Sequence, residues 1–410
     1  MTGHVRKRGS WQYILELGDQ PTQRCTVCNR RHWVGRKPLK ACTTSGGALV
    51  DRIERKQHMK TGFATKKEAQ AALTDALSEL NQGSYVPPTK MTVKEFLVDD
   101  WLPAIEATIR PATLSSYSTH VNVHLVPRID TTPLQQLSAE QINRMYSELR
   151  KHGKARGSGE LSPNSVRRIH ATLHRAMRDA VRWGYLSRNP VDNADPPRTV
   201  DSELLAAKAW QVADLKKFLA SAKDDRLYPL WLTLALTGLR RGEALGLLWQ
   251  DLNLKGGRLV VRRSLVPVNA EVIVSEPKTR RGHRTVTLDP VTVAALRAWL
   301  KAQRDERLHW GPAWTNTGLV FTREDGTAWR PERVTQIGPA LVKKVKVPRI
   351  TLHGLRHTHA TLALAAGIHP KVVSERLGHS TVSLTLDVYS HAIPSMEEEA
   401  ATRIAALVTG

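Results

Sequence analysis

Four short motifs fall in order along the second half of the chain: Thr237-Gly238-Leu239-Arg240-Arg241-Gly242-Glu243, His353-Gly354-Leu355-Arg356-His357, Gly378-His379 and Leu386-Asp387-Val388-Tyr389. Their residue types suit one kind of reaction. Breaking a phosphodiester without metal or water requires a nucleophile, cations on the non-bridging oxygens and an acid for the departing oxygen. Arginine suits the cationic role because its planar fork binds two oxygens and stays protonated, whereas lysine or histidine can also give up a proton. Each motif alone has a plainer reading. Arg240 with Glu243 could brace a helix end, and His353 with Arg356, at i and i+3 on one helical face, could be a surface pair. Pro277-Lys278-Thr279-Arg280-Arg281-Gly282-His283-Arg284 offers Lys278 between two strand signals, with Arg280, Arg281 and Arg284 as rival cations.

Taken in order, T-G-L-R-x-x-E, H-x-L-R-H, L-G-H-S and a tyrosine about ten residues later resemble the tyrosine recombinase, or phage-type integrase, family. The resemblance covers the C-terminal half well. Residues 92–190 look like that family's core-binding domain, and the first 85 residues resemble an arm-binding domain more weakly. The resemblance implies that Arg240 and Arg356 bind the scissile phosphate, that His353 and His379 donate further hydrogen bonds to it, and that Tyr389 is the nucleophile. It implies Lys278, on a β-hairpin turn, as general acid and Glu243 in a supporting hydrogen bond. Of seven tyrosines, Tyr389 is the one that follows both arginine motifs and His379. A free phenol, with pKa near 10, is only about one part in a thousand ionised at pH 7, and two neighbouring guanidiniums would favour the phenolate.

The family resemblance also implies a 3′-phosphotyrosyl intermediate with a free 5′-hydroxyl, no ATP or metal for catalysis, and a homotetramer on two paired double-stranded DNA attachment sites. A directionality factor and a DNA-bending protein are further candidate partners. The tail from Glu397 to Val408 either docks on a neighbouring protomer or packs on its own domain. A type IB topoisomerase and a DNA-binding regulator without catalysis are the alternative readings. The extra N-terminal region favours an integrase of a mobile element, such as a phage, over a chromosome-dimer resolvase.

The rest of the chain must position these groups. Its 410 residues predict a multidomain α+β protein, since domains cluster near about 100–150 residues. The divisions expected are 1–85, a small β-sheet plus helix; 90–195, all-α; and 205–410, mainly α with a small antiparallel sheet. Strand signals occur at Trp11 to Leu15, Ala48 to Ile53, Leu259 to Arg262, Glu271 to Val274 and Arg284 to Leu288, and capping boxes at Thr65/Glu68 and Ser138/Gln141. A helix opening at Ser162 and Pro163 has Val166, Ile169, Leu173, Ala176 and Ala180 on one face. Arg167, Arg175, Arg178 and Arg182 lie on the other, either a track for a DNA backbone or a solvated face.

A net charge of +23 points to a polyanionic partner, with nucleic acid ahead of a membrane surface. The longest apolar stretch, Leu227 to Leu236, is too short to cross a bilayer. Three cysteines, all between residues 25 and 42, suit a reducing cytoplasm, with the protein on the nucleoid when bound to DNA. Cys25, Cys28, His32 and Cys42 supply a candidate structural zinc site, although Arg24, Arg30, Arg31 and Lys37 beside them could bind DNA without a metal.

Overall fold

The alternation at Trp11 to Leu15 belongs to a much longer strand. The computed structural model describes residues 2–29, 31–33, 41–42, 45–82, 85–154, 159–198, 209–269, 271–276, 282–389 and 396–409. Its first region is a four-stranded antiparallel sheet of β1 (Gly3–Arg8), β2 (Ser10–Cys25), β3 (Arg31–Trp33) and β4 (Leu49–Phe63). The central strand is β2: β1 pairs with its first half, β3 with its end, and β4 runs along it from Trp11 to Cys25. The strand expected at Ala48 to Ile53 therefore continues to Phe63. No residue of β4 is buried, so backbone pairing sustains it and no apolar face marks it in the sequence. Helix α1 (Lys66–Asn81) begins at the Thr65/Glu68 capping box and lays Leu73 and Ala76 on Tyr13 and Leu15.

Contacts divide the chain into two compact units, residues 1–107 with 117–197, and residues 108–116 with 198–410. The helical part of the first contains α2 (Leu102–Glu106), the last three residues of α3 (Pro111–Thr119), α4 (Val126–Ile129), α5 (Ala139–His152) and α6 (Pro163–Arg182). Two π-helical stretches, Glu95–Trp101 and His120–Leu125, lead into α2 and α4. The Ser138/Gln141 box opens α5, and the Ser162 side chain accepts the Ser165 amide at the start of α6. The apolar face foreseen on α6 is buried. Beneath it Trp101 is fully enclosed, and its Nε1 donates to Asp179 Oδ2 at 2.9 Å.

In the second unit α7 (Val212–Ser221), α8 (Tyr228–Thr237) and α9 (Arg241–Leu245) precede β5 (Leu252–Asn253), β6 (Arg258–Val261), β7 (Ser264–Val268), β8 (Glu271–Ser275) and β9 (Arg284–Thr287). Then come α10 (Pro290–Trp310), α11 (Pro331–Val345), α12 (Leu352–Ala365), α13 (Pro370–Leu377), α14 (Val382–Tyr389) and α15 (Met396–Thr409). Helix α8 is apolar on nearly every side because it runs through the core, beside Phe218, Leu296 and Leu355. Its end is set by Gly238 at φ +65°, where a side chain would also strike His359 and Leu377.

The sheets differ from expectation at one point. β5, β6 and β9 form one antiparallel sheet, whereas β7 and β8 form a separate hairpin. β7 escapes sequence reading because Pro267 lies in it; a two-stranded hairpin tolerates proline, each strand having an outer edge without a ladder. Lys278 was expected on a turn between paired flanking strands. β8 pairs with β7 and β9 with β6, and Lys278 itself lies outside the described residues.

Replacing Trp101 by Phe keeps most of the ring volume but strands the Asp179 oxygen in the interior. The loss expected is about 1–3 kcal/mol in denaturant unfolding, and an unchanged midpoint would contradict this role.

Candidate active site

Arg240 stands where α8 ends and α9 begins. As N-cap of α9 it has extended backbone, and its N–H donates to Glu243 Oε2 at 2.9 Å while its Nη1 donates to Oε1 at 2.6 Å. Arg284, the first residue of β9, reaches the same carboxylate from the other side, Nη2 to Oε2 at 2.8 Å and Nη1 to Oε1 at 3.2 Å. Each Glu243 oxygen thus accepts two bonds, and the residue is buried. Burial alone would raise its pKa, but the hydrogen bonds and charge of Arg284, followed by the charge of Arg240, outweigh that and hold it at about 2. Arg284 is as buried as its partner, while the Arg240 side chain keeps 41% of its surface in solvent.

Three guanidiniums converge on the last carbonyls of α13. Arg284 Nε donates to Arg376 O at 2.7 Å, Arg356 Nη2 to Leu377 O at 2.8 Å and Arg240 Nη2 to Gly378 O at 3.4 Å. These carbonyls lack helical partners and form the negative end of the helix dipole, so cations gather there. Arg356 is buried, and its Nη1 donates to Gly238 O at 2.7 Å, joining α12 to the turn that carries Arg240. Gly378 closes α13 at φ +68°, and a side chain there would collide with Arg284.

His379 follows directly. Its Nδ1 lies 2.8 Å from Thr385 Oγ1 on α14, which fixes the ring and leaves Nε2 as its other hydrogen-bonding atom. Burial, then Arg356, Arg240 and Arg284, push its pKa down to about 4. His353, one turn before Arg356, stacks edge-on against His357 with centroids 4.7 Å apart. It too is pushed down to about 4, by the surrounding protein first and then by His357, Arg356 and Arg240. The ring retains solvent access, so the cationic neighbours give the firmer reason for that direction. Both histidines are therefore neutral donors near pH 7, and the positive charge comes from arginine. Tyr389 is the last residue of α14, which packs on α13 and α12; its side chain lies outside the described residues.

Residues 208–396 match the phage integrase family, and residues 54–80 match an arm DNA-binding domain. The chain thus carries a phage integrase family domain, preceded by an arm DNA-binding domain. A tyrosine recombinase XerC-like protein of Caldanaerobacter subterraneus is 29% identical over 356 residues, 82% of this chain and 88% of the relative. The ICEBs1 integrase of Bacillus subtilis is 28% identical over 310 residues, 75% of this chain and 81% of its own length. The Tn1549 transposon integrase, solved with a circular intermediate DNA, shares the fold with a TM-score of 0.62 at 20% identity, over 77% of this chain and all of that one (100%).

Sequence reasoning about the recombinase missed His359, Arg376 and Thr385, and left Arg284 as one rival cation among several. The signal available was position alone: His359 lies three residues after Arg356, and Arg376 immediately precedes L-G-H.

On α6 of the recombinase, Arg167, Arg178 and Arg182 are exposed. Arg175 is half-buried: its Nη1 donates to the Tyr117 hydroxyl at 3.1 Å, and its guanidinium lies 5.4 Å from that ring's centre. Asp179 ties down Arg182 at 2.9 Å and Arg167 Nη1 donates to Pro197 O at 3.3 Å, so three of the four arginines have partners within their own unit.

At the far end of β2, the sulfurs of Cys25, Cys28 and Cys42 lie within 4.8 Å of one another and could hold a metal. The Cys28 and Cys42 sulfurs are 3.6 Å apart. Two thiolates on a tetrahedral zinc, each at about 2.3 Å, would be about 3.8 Å apart. Cys25 Sγ accepts the amides of Val27 at 3.3 Å and Cys28 at 3.5 Å, an arrangement that favours the thiolate. The register sets His32 opposite Gln23, two residues before Cys25; the His32 side chain lies outside the described residues.

The shifted groups set the acid side of the stability profile. His353, His359 and His379 ordinarily titrate at 6.5 and are held near 4, so the unfolded chain binds more protons in between. Their contribution is complete above pH 6.5 and is lost as pH falls towards 4; that of Glu243 is complete above 4.5 and is lost towards 2. Thermal unfolding midpoints should decline progressively from pH 6.5 downwards, and a flat profile to pH 4 would contradict these environments.

Proposed function

We propose that this recombinase cuts and rejoins double-stranded DNA at paired attachment sites, integrating or excising a mobile element. The observation that carries the reading is the gathering of Arg240, Arg356 and His379 around the α13 terminus, immediately ahead of the helix that ends in Tyr389. A scissile phosphate is the anion such a cluster suits. In the proposed reaction Tyr389 loses its phenolic proton to water, the phenolate oxygen attacks phosphorus, the bond to the 5′-oxygen breaks, and Lys278 gives that oxygen a proton. Arg240 and Arg356 neutralise charge growing on the non-bridging oxygens, while neutral His353 and His379 donate hydrogen bonds. Glu243 holds Arg240 in place. Attack by another strand's 5′-hydroxyl reverses the step, so the phosphoester energy is retained and no ATP or metal enters the chemistry.

Supporting roles follow from the same reading. Residues 1–85 would bind arm-type DNA, 90–195 the core site through Arg167, Arg175, Arg178 and Arg182, and 205–410 would carry catalysis. Four copies would act on two duplexes in the cytoplasm, with direction set by a directionality factor and a DNA-bending protein. Among the described residues no helix is long and apolar enough to cross a membrane.

On a nicked duplex bearing the attachment junction, the chain should become covalently attached to DNA, and Tyr389→Phe should abolish the adduct. An undiminished adduct would refute the nucleophile; plasmid relaxation without recombinant product would favour a topoisomerase.

We also assign a structural zinc to Cys25, Cys28 and Cys42, with His32 as the fourth ligand, fastening the tip of the β2–β4 ribbon. Metal analysis of reduced, chelator-free protein should find about one zinc per chain, lost in Cys28→Ser with Cys42→Ser; zinc below about a tenth of that would overturn the assignment.

A further inference from the structure

His359 and Arg376 lie beneath the catalytic cluster and tie together four of the elements that surround it. His359 Nδ1 lies 3.0 Å from Ala235 O near the end of α8, and its Nε2 accepts from Arg376 Nε at 3.2 Å. That second bond fixes the proton on Nδ1, which donates to the carbonyl. Arg376 then spreads its remaining nitrogens over two further elements: Nη2 donates to Leu236 O on α8 and Nη1 to Thr287 O at the end of β9, each at 3.0 Å. Its own carbonyl is the one that Arg284 Nε holds. The pair therefore joins α12, which carries Arg356; α8, which leads into Arg240; β9, which begins with Arg284; and α13, which leads into His379.

The fit is close. A methyl group built on Gly238 would meet His359 at 2.8 Å, so the turn preceding Arg240 rests on the imidazole itself. The charged groups around the ring are Arg376 and Arg356, both cationic; they and burial favour the neutral imidazole, the form able to donate on one side and accept on the other.

We propose that His359 and Arg376 are positioning residues for strand cleavage: they lock the end of α8 to the end of α13 and so set the separation of Arg240 from Arg356 and His379. This rests on the reading of those three as the phosphate-binding groups. The site holds two arginines that repel one another, and a fixed scaffold keeps them at a spacing that two phosphate oxygens can bridge. Loss of that spacing acts on the transition state more than on DNA affinity, most of which comes from contacts spread over the duplex.

The test compares His359→Phe, which fills the space without hydrogen bonding, with His359→Gln, which retains one donor and one acceptor. With a nicked duplex carrying the attachment junction, His359→Phe should form the covalent adduct at least about tenfold more slowly at saturating DNA, with the half-saturating concentration changed by less than about twofold. His359→Gln should recover to within about threefold of the parent rate. Hydrogen exchange should accelerate in His359→Phe at residues 238–243 and 377–379 and stay unchanged in α10. A parent-like rate in His359→Phe, no recovery in His359→Gln, or accelerated exchange throughout the unit would each overturn the proposal. If the parent chain itself formed no Tyr389-dependent adduct, the catalytic reading would fail, and the positioning role with it. The exchange pattern would separately report whether the scaffold exists.

Discussion

The buried carboxylate of Glu243 is the contact on which the site depends. Two guanidiniums, Arg240 and Arg284, approach it from different elements, and each oxygen receives two donors. Removing one member of such a pair leaves an uncompensated charge in the interior, which typically costs roughly 3–5 kcal/mol. Burial is what gives the arrangement its force. An exposed pair would be loosened by water and salt, whereas this one holds Arg240 with part of its guanidinium still facing solvent. Glu243 also caps α9 through the Arg240 amide, so one side chain sets both the backbone turn and the charge it presents.

The second constraint is the end of α13. Arg284, Arg356 and Arg240 satisfy three successive carbonyls there, at residues 376, 377 and 378. Helix ends leave such groups without partners, and the usual remedies are water or a left-handed glycine cap. Here Gly378 supplies the cap and the arginines supply the donors. The same cations that would meet a phosphate are thereby held by the protein's own acceptors, and His379 emerges beside them with its ring fixed by Thr385. On the proposed reading the site is organised before DNA arrives, which lowers the reorganisation needed as charge develops.

How much of this could be read from the sequence depends on the kind of partner involved. Arg240, Glu243, His353, Arg356 and His379 stand in ordered motifs, and their types announce a charge-stabilising role. Arg376 and His359 bond to backbone carbonyls of remote elements, and a carbonyl carries no residue-specific signal; Arg284 meets Glu243 only across distant stretches of chain, so no local spacing marks the pair. The fold divides similarly. Capped amphipathic helices such as α5 and α6 follow their apolar periodicity, because burial of one face forms them. β4 and β7 escape it: the first has no buried face, and the second contains Pro267, so pairing across the chain decides both.

The central claim is that Glu243 and Arg284 act as one unit in presenting Arg240. A double-mutant cycle on the rate of Tyr389–DNA adduct formation tests it most directly, using Glu243→Gln, Arg284→Met and the combination. If the two act together, each single change slows the reaction by about tenfold or more, and the double variant is within about threefold of the slower single. Losses that multiply in the double variant would show two independent contributions and contradict the account.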